Sequence, residues 1–106
     1  MSEFNQRQYG LMLGRLTAFE QRTVPLDALI ADLEGLLNAL ENVRASWKET
    51  FLSFWGVLED SRAYALDVGK TSFNEEETRT IQSAISSLKS MVLERIEDPS
   101  DRAAPN

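Results

Sequence analysis

Carboxylates are the side chains in this sequence whose number and spacing could organise chemistry. Asp27, Glu34 and Glu41 recur every seven residues, and Glu49, Asp60 and Asp67 fall almost in line on a helical projection of the next segment, with Ser53 and Tyr64 beside them. Such rows can hold a metal ion, work as acid–base pairs, or grip a cationic partner. Helical bundles that bind metals use inward-pointing glutamates together with Glu-x-x-His pairs, and this chain of 106 residues contains no histidine. That absence also removes the commonest general base and every Ser-His or Cys-His nucleophile pair. Cysteine is missing too, so disulfides, zinc–thiolate sites and thiol nucleophiles are excluded. What remains for an enzyme is carboxylate, Tyr, Ser, Thr, Lys or Arg chemistry with no sign of convergence. No enzymatic activity, cofactor or metal is expected.

The charge balance favours the third use. A formal net charge of -6 and a pI near 4.6 repel a phosphate backbone and attract a basic protein. Direct nucleic-acid binding is therefore not expected. The negative charge is weighted away from the N-terminal segment: residues 1–23 carry +1, residues 24–45 carry -3, residues 46–70 carry -1 and residues 71–106 carry -3. The candidate partner-binding surface is thus Asp27, Glu34 and Glu41 on one segment, with Glu49, Ser53, Asp60, Tyr64 and Asp67 on the next. Gly56 and Ala63 keep the middle of that second row low, and a mid-helix glycine costs about 1 kcal/mol of helix propensity with no capping role to explain it.

These rows need helices to align them. Tyr9, Met12, Leu13, Leu16 and Phe19 predict a first helix from about Asn5 to Arg22, in which Gly10 and Gly14 are expected to let a neighbouring backbone come close. A second begins at "RTVPLDALI", with Thr23 or Val24 at its entrance and Pro25 in its first turn, and runs to about Asn42. Leu26, Leu29, Ile30, Leu33, Leu36, Leu37 and Leu40 form its apolar stripe. The third, with Ser46 as N-cap, gathers Trp47, Phe51, Phe54, Trp55, Leu58 and Ala65 on one face, a spacing that makes core rather than a cofactor stack. Gly69 should close it. The fourth starts at a capping box of Asn74 and Glu77, with Phe73 as a hydrophobic staple, and buries Ile81, Ala84, Ile85, Leu88, Val92 and Ile96.

Short links between four amphipathic helices predict an all-α fold, a single small antiparallel four-helix bundle over residues 1–98, followed by a proline-containing tail over residues 99–106. The backs of helices two and four are small: Ala28, Ala31, Gly35 and Ala39 on one, Ser83, Ser86, Ser87 and Ser90 on the other. They supply the alternative function, a homo-oligomeric helical scaffold or adaptor, although a monomer is the first expectation. No run of about eighteen apolar residues could span a membrane, and the N-terminus lacks an export pattern. With no cysteine, the cytoplasm is the expected compartment.

The stretches "VPLDALIADLEGLLNALENV", "WKETFLSFWGVLEDSRAYALDVG" and "EEETRTIQSAISSLKSM" together resemble small all-helical bacterial immunity proteins, encoded beside toxins of contact-dependent growth inhibition and related polymorphic toxin systems. The likeness covers roughly residues 23 to 92. Its most specific elements are Asp32, Leu33 and Glu34, the Trp47 to Trp55 aromatic spacing with Gly56, and Ala65, Leu66, Asp67 and Gly69. The resemblance implies a cytoplasmic protein that binds one cognate toxin domain, often a nuclease, and blocks its active site or its access to substrate.

Overall fold

The computed structural model describes residues 3–69 and 72–97; the tail expected over residues 99–106 lies outside them. Four helices follow one another: α1 (Glu3–Glu20), α2 (Leu26–Ala39), α3 (Ala45–Asp67) and α4 (Glu75–Glu97). They form the antiparallel bundle that the periodicity predicts. Each helix packs on its two neighbours in the ring α1–α2–α3–α4, so α1 faces α3, and α2 faces α4, across the core. The apolar stripes meet there. Tyr9, Met12 and Leu16 of α1 join Leu29, Ile30, Leu33 and Leu37 of α2, Phe51 and Leu58 of α3, and Ile81, Ile85, Leu88 and Val92 of α4. Phe73 packs against the edge of this cluster.

The antiparallel order is marked by polar links along the helix seams. Arg15 of α1 pairs with Asp32 of α2 at 3.3 Å, Lys89 of α4 with Glu20 of α1 at 2.7 Å, and Gln6 donates to the Arg95 carbonyl at 3.2 Å. Trp55 of α3 donates its indole N–H to the Ile30 carbonyl of α2 at 2.9 Å. The ring of Trp55 is therefore half-buried in the α2–α3 seam, its apolar body inward and its polar edge satisfied.

α1 begins at Glu3, two residues before its expected start, and four other boundaries and caps differ from expectation, each with a local cause. α1 ends at Glu20 rather than Arg22, because Arg22 takes a left-handed φ of 64°. The Thr23 N–H then reaches the Ala18 carbonyl and the Arg22 N–H the Phe19 carbonyl, both at 2.9 Å, which is a Schellman closure with arginine where glycine is usual. A left-handed conformation costs an L-residue roughly 1–2 kcal/mol, partly offset by the entropy that glycine loses on folding. Arg22→Gly should raise stability by about 0.5–1 kcal/mol, read as a shift in denaturation midpoint. Pro25 is the N-cap of α2 itself, in extended conformation, not a first-turn residue.

α2 stops at Ala39 instead of Asn42, since Leu40 turns extended and Asn42 adopts a φ of 56°. The cause sits on α1. The buried amide of Asn5 receives the Glu41 N–H at 2.9 Å and donates to the Glu41 carbonyl at 2.7 Å, drawing the chain off the helix axis. The N-cap of α3 is Arg44, not Ser46, and it makes no side-chain capping bond; Ser46 lies within the first turn, where its carbonyl accepts from Thr50.

Gly10 and Gly14 are also corrected: both are exposed, and a Cβ added to either would meet nothing within 4 Å. With Tyr9, Met12 and Leu16 setting the buried side, those positions fall roughly opposite on a helix turning about 100° per residue. No close approach occurs at either.

Candidate partner-binding surface

The inward turn of the α3 aromatics decides what the outside offers. Phe51 is fully buried, and Trp47, Phe54 and Trp55 pack against the core, so the opposite face of α3 is left to Glu49, Ser53, Asp60, Tyr64 and Asp67, all exposed. Tyr64 shows 54% of its surface, enough to offer an amphipathic contact. The Ser53 hydroxyl donates to the Thr50 carbonyl at 2.6 Å, so it turns back on its own helix. Gly56 is half-buried, yet no neighbour crowds the space its side chain would take. It keeps the row low without being required by packing.

On α2, Asp27 and Glu34 are exposed along the seam facing α3, and Glu41 is exposed just beyond the helix, its backbone fixed by Asn5. Asp27 and Glu34 line a shallow groove of about 480 Å³ with Ile30, Ala31, Trp55, Glu59 and Arg62. The two acidic rows thus do not share one trough. Glu59 borders the groove, whereas Asp60 is turned about 100° further round α3 and stands on its outer back. The surface is a ridge of α3 carboxylates beside a groove edged by α2 carboxylates.

Glu59 and Arg62 belong to this region and were not singled out by the spacing argument. Arg62 binds Glu59 through two hydrogen bonds, of 2.6 and 3.2 Å. Those hydrogen bonds hold the Glu59 carboxyl below its usual range, against desolvation and with the guanidinium charge assisting. Asp27 adds to the negative field that keeps Arg62 charged, after the larger effect of Glu59 itself. The pair was legible in principle, because Glu59 and Arg62 are three apart and Glu59 lies one turn beyond Trp55.

A second concavity was missed as well. Between the α1–α2 turn and the first half of α4 lies a half-enclosed groove of about 740 Å³, walled by Phe19, Val24, Pro25 and Phe73 and floored by Ile81 and Ile85. Its rim carries Glu20, Arg22, Thr23, Thr78, Gln82 and Ser86. The residues forming it come from three separate stretches, so no local pattern announces it.

Among the described residues, no three carboxylates come together in a geometry that could hold a metal ion. No helix among them is long and apolar enough to cross a membrane. Comparison with protein-family models, with curated proteins and with solved structures finds no match for this chain.

Proposed function

We propose that this protein is the immunity partner of a toxin domain, a basic nuclease, and neutralises it by covering its active site with the acidic surface of α2 and α3. One observation carries the reading: the aromatic side of α3 is buried, and its carboxylate side, Glu49, Asp60 and Asp67 with Tyr64 among them, is exposed. Lysines and arginines that hold RNA or DNA in a nuclease cleft would meet these groups and those of Asp27, Glu34 and Glu41. The net charge of -6 would steer encounter, which for oppositely charged proteins reaches about 10⁸ to 10⁹ M⁻¹s⁻¹ at low salt.

Asp67 gives further support. It lies in the last turn of α3, where no basic residue offsets the negative end of the helix dipole. A carboxylate in that position opposes the dipole by about 0.3–1 kcal/mol. A residue that works slightly against its own helix is better explained by what it meets outside.

The test uses the product of the adjacent reading frame, co-expressed and co-purified with this chain. Asp60→Lys combined with Asp67→Lys should weaken the complex by roughly tenfold or more and flatten its salt dependence. The free variant should be no less stable, since Asp67→Lys places a cation at the negative helix end. Unchanged affinity and salt dependence would remove these residues from the contact.

The homo-oligomeric scaffold draws on exposed small residues, Ala31 and Gly35 on α2 and Ser83, Ser86 and Ser90 on α4. Self-association must overcome the repulsion of two acidic copies. Sedimentation separates the readings: a stable dimer with no affinity for the neighbouring gene product favours the scaffold.

A further inference from the structure

Arg22 closes α1 with a φ of 64°, a conformation that glycine takes more easily, so an arginine is held there against local strain. It stands on the rim of the groove of about 740 Å³. Among the described residues no carboxylate pairs with Arg22, whereas Glu20, the other charge on that rim, is answered by Lys89 at 2.7 Å. Asp27 and Glu76 border separate grooves. In a chain of net charge -6, this concavity presents an uncompensated cation.

α4 gives the groove a direction. Ile81 and Ile85, both buried, form its floor, and Thr78, Gln82 and Ser86, all exposed, make a polar row beside them that runs for about 12 Å. Phe19, Val24, Pro25 and Phe73 add the apolar walls.

We propose that this groove captures the C-terminal end of a polypeptide whose last residues are apolar, with the chain-end carboxylate on Arg22. Each part of the lining answers one part of such an end. Guanidinium and carboxylate match through two parallel hydrogen bonds, which arginine presents in a fixed fork. An extended chain rises about 3.3 Å per residue, so the polar row of α4 spans about four residues. Its hydroxyl and amide groups meet backbone N–H and C=O groups that would otherwise be left dry against the apolar walls. The volume lies within the roughly 300–1,000 Å³ of ordinary ligand sites. A fatty acid also carries a carboxylate on an apolar body, but has no backbone groups for Thr78, Gln82 and Ser86 to meet. The site shares no residue with the acidic surface of α2 and α3 and selects the opposite charge, so it stands independently of that reading.

The probe is the peptide acetyl-Ser-Leu-Val-Phe with a free carboxylate, titrated into isotope-labelled protein beside the same peptide ending in a carboxamide. The free acid should shift amide resonances of residues 19–25 and 73–86, and the carboxamide should bind roughly tenfold more weakly. Arg22→Gly should bring the free acid down to the affinity of the carboxamide and leave the carboxamide unchanged, in a protein at least as stable as the parent. Equal binding of the two peptides to the parent, shifts elsewhere on the surface, or no binding at all would each overturn the proposal. Two further ligands test the occupant. Decanoate binding as tightly as the free acid would assign the groove to acyl carboxylates, and acetyl-Ser-Leu-Glu-Phe-carboxamide doing so would assign it to an acidic side chain; either result would overturn the chain end.

Discussion

Asn5→Leu is expected to lower the free energy of unfolding by about 2–4 kcal/mol, read from the midpoint of a urea transition at unchanged slope. The reason is local. Asn5 is buried, and its amide occupies both backbone groups of Glu41 at a place where the chain has left α2 and has no helical partner to offer. Leucine matches the size but neither donates nor accepts, and each backbone group left dry costs roughly 1–3 kcal/mol, with water entering the seam offsetting part of that. Asn5→Asp separates the two bonds. A carboxylate still accepts from the Glu41 N–H but faces the Glu41 carbonyl without a proton to give. Burial and that carbonyl raise the folded-state pKa of the introduced carboxyl above its unfolded value of about 3.9. Its contribution to stability is therefore fully present below that unfolded pKa and lost as pH rises through the folded one. The Asn5→Asp variant should be further below the parent at pH 7 than at pH 4. A pH-independent difference would show that the carbonyl bond carries no weight.

The same residue shows where sequence stops being informative. Asn5 looks like an ordinary polar residue near a helix start, and its partner lies 36 residues away, so neither periodicity nor capping rules reveal that it sets the end of α2. Local chemistry was legible at the end of α3 and the start of α4, though not at the start of α3, where Ser46 makes no cap. Asn74 and Glu77 exchange their reciprocal bonds at 2.7 and 2.9 Å, as the capping box requires, and Gly69 closes α3 with a φ of 71°. Arg22 does the same work for α1 without being glycine, and for that reason escaped notice.

The candidate surface was legible to a similar depth. Once the core stripes were assigned, the exposure of Asp27, Glu34, Glu49, Asp60, Tyr64 and Asp67 followed from helical geometry alone, whereas Glu41 is exposed in the link after α2 and not as the last member of a helical row. How the two rows lie relative to one another did not, because that depends on how α2 and α3 are rotated in their seam. Trp55 fixes the rotation by reaching the Ile30 carbonyl, and thereby puts Glu59, not Asp60, opposite Asp27 and Glu34. The large groove depends on the Schellman turn at Arg22, on Phe73 and on α4 all at once, and only the assembled bundle displays it.

The orientation of α3 itself is tested by Phe51→Ala, which should cost about 3–5 kcal/mol. Phe51 is fully buried, with its ring centroid 5.4 Å from that of Trp47, and Trp47 in turn braces Tyr9 and Arg95. Removing it opens a cavity beneath an aromatic group whose other contacts come from α1 and α4, so the gap cannot be filled by moving one helix. Domains of this kind are stable by roughly 5–15 kcal/mol, so the variant should lose a large fraction of its margin and unfold in clearly less urea. Leu52→Ala is the control. Leu52 is one residue further round, 43% exposed, and its loss should change stability by no more than about 1 kcal/mol. Because Phe51 points away from the carboxylate ridge, the folded fraction of Phe51→Ala should bind a cationic partner as tightly as the parent does, at temperatures where it remains folded. Comparable losses from Phe51→Ala and Leu52→Ala would mean that α3 is turned differently on the core, and the assignment of its acidic side to the partner would fall with it.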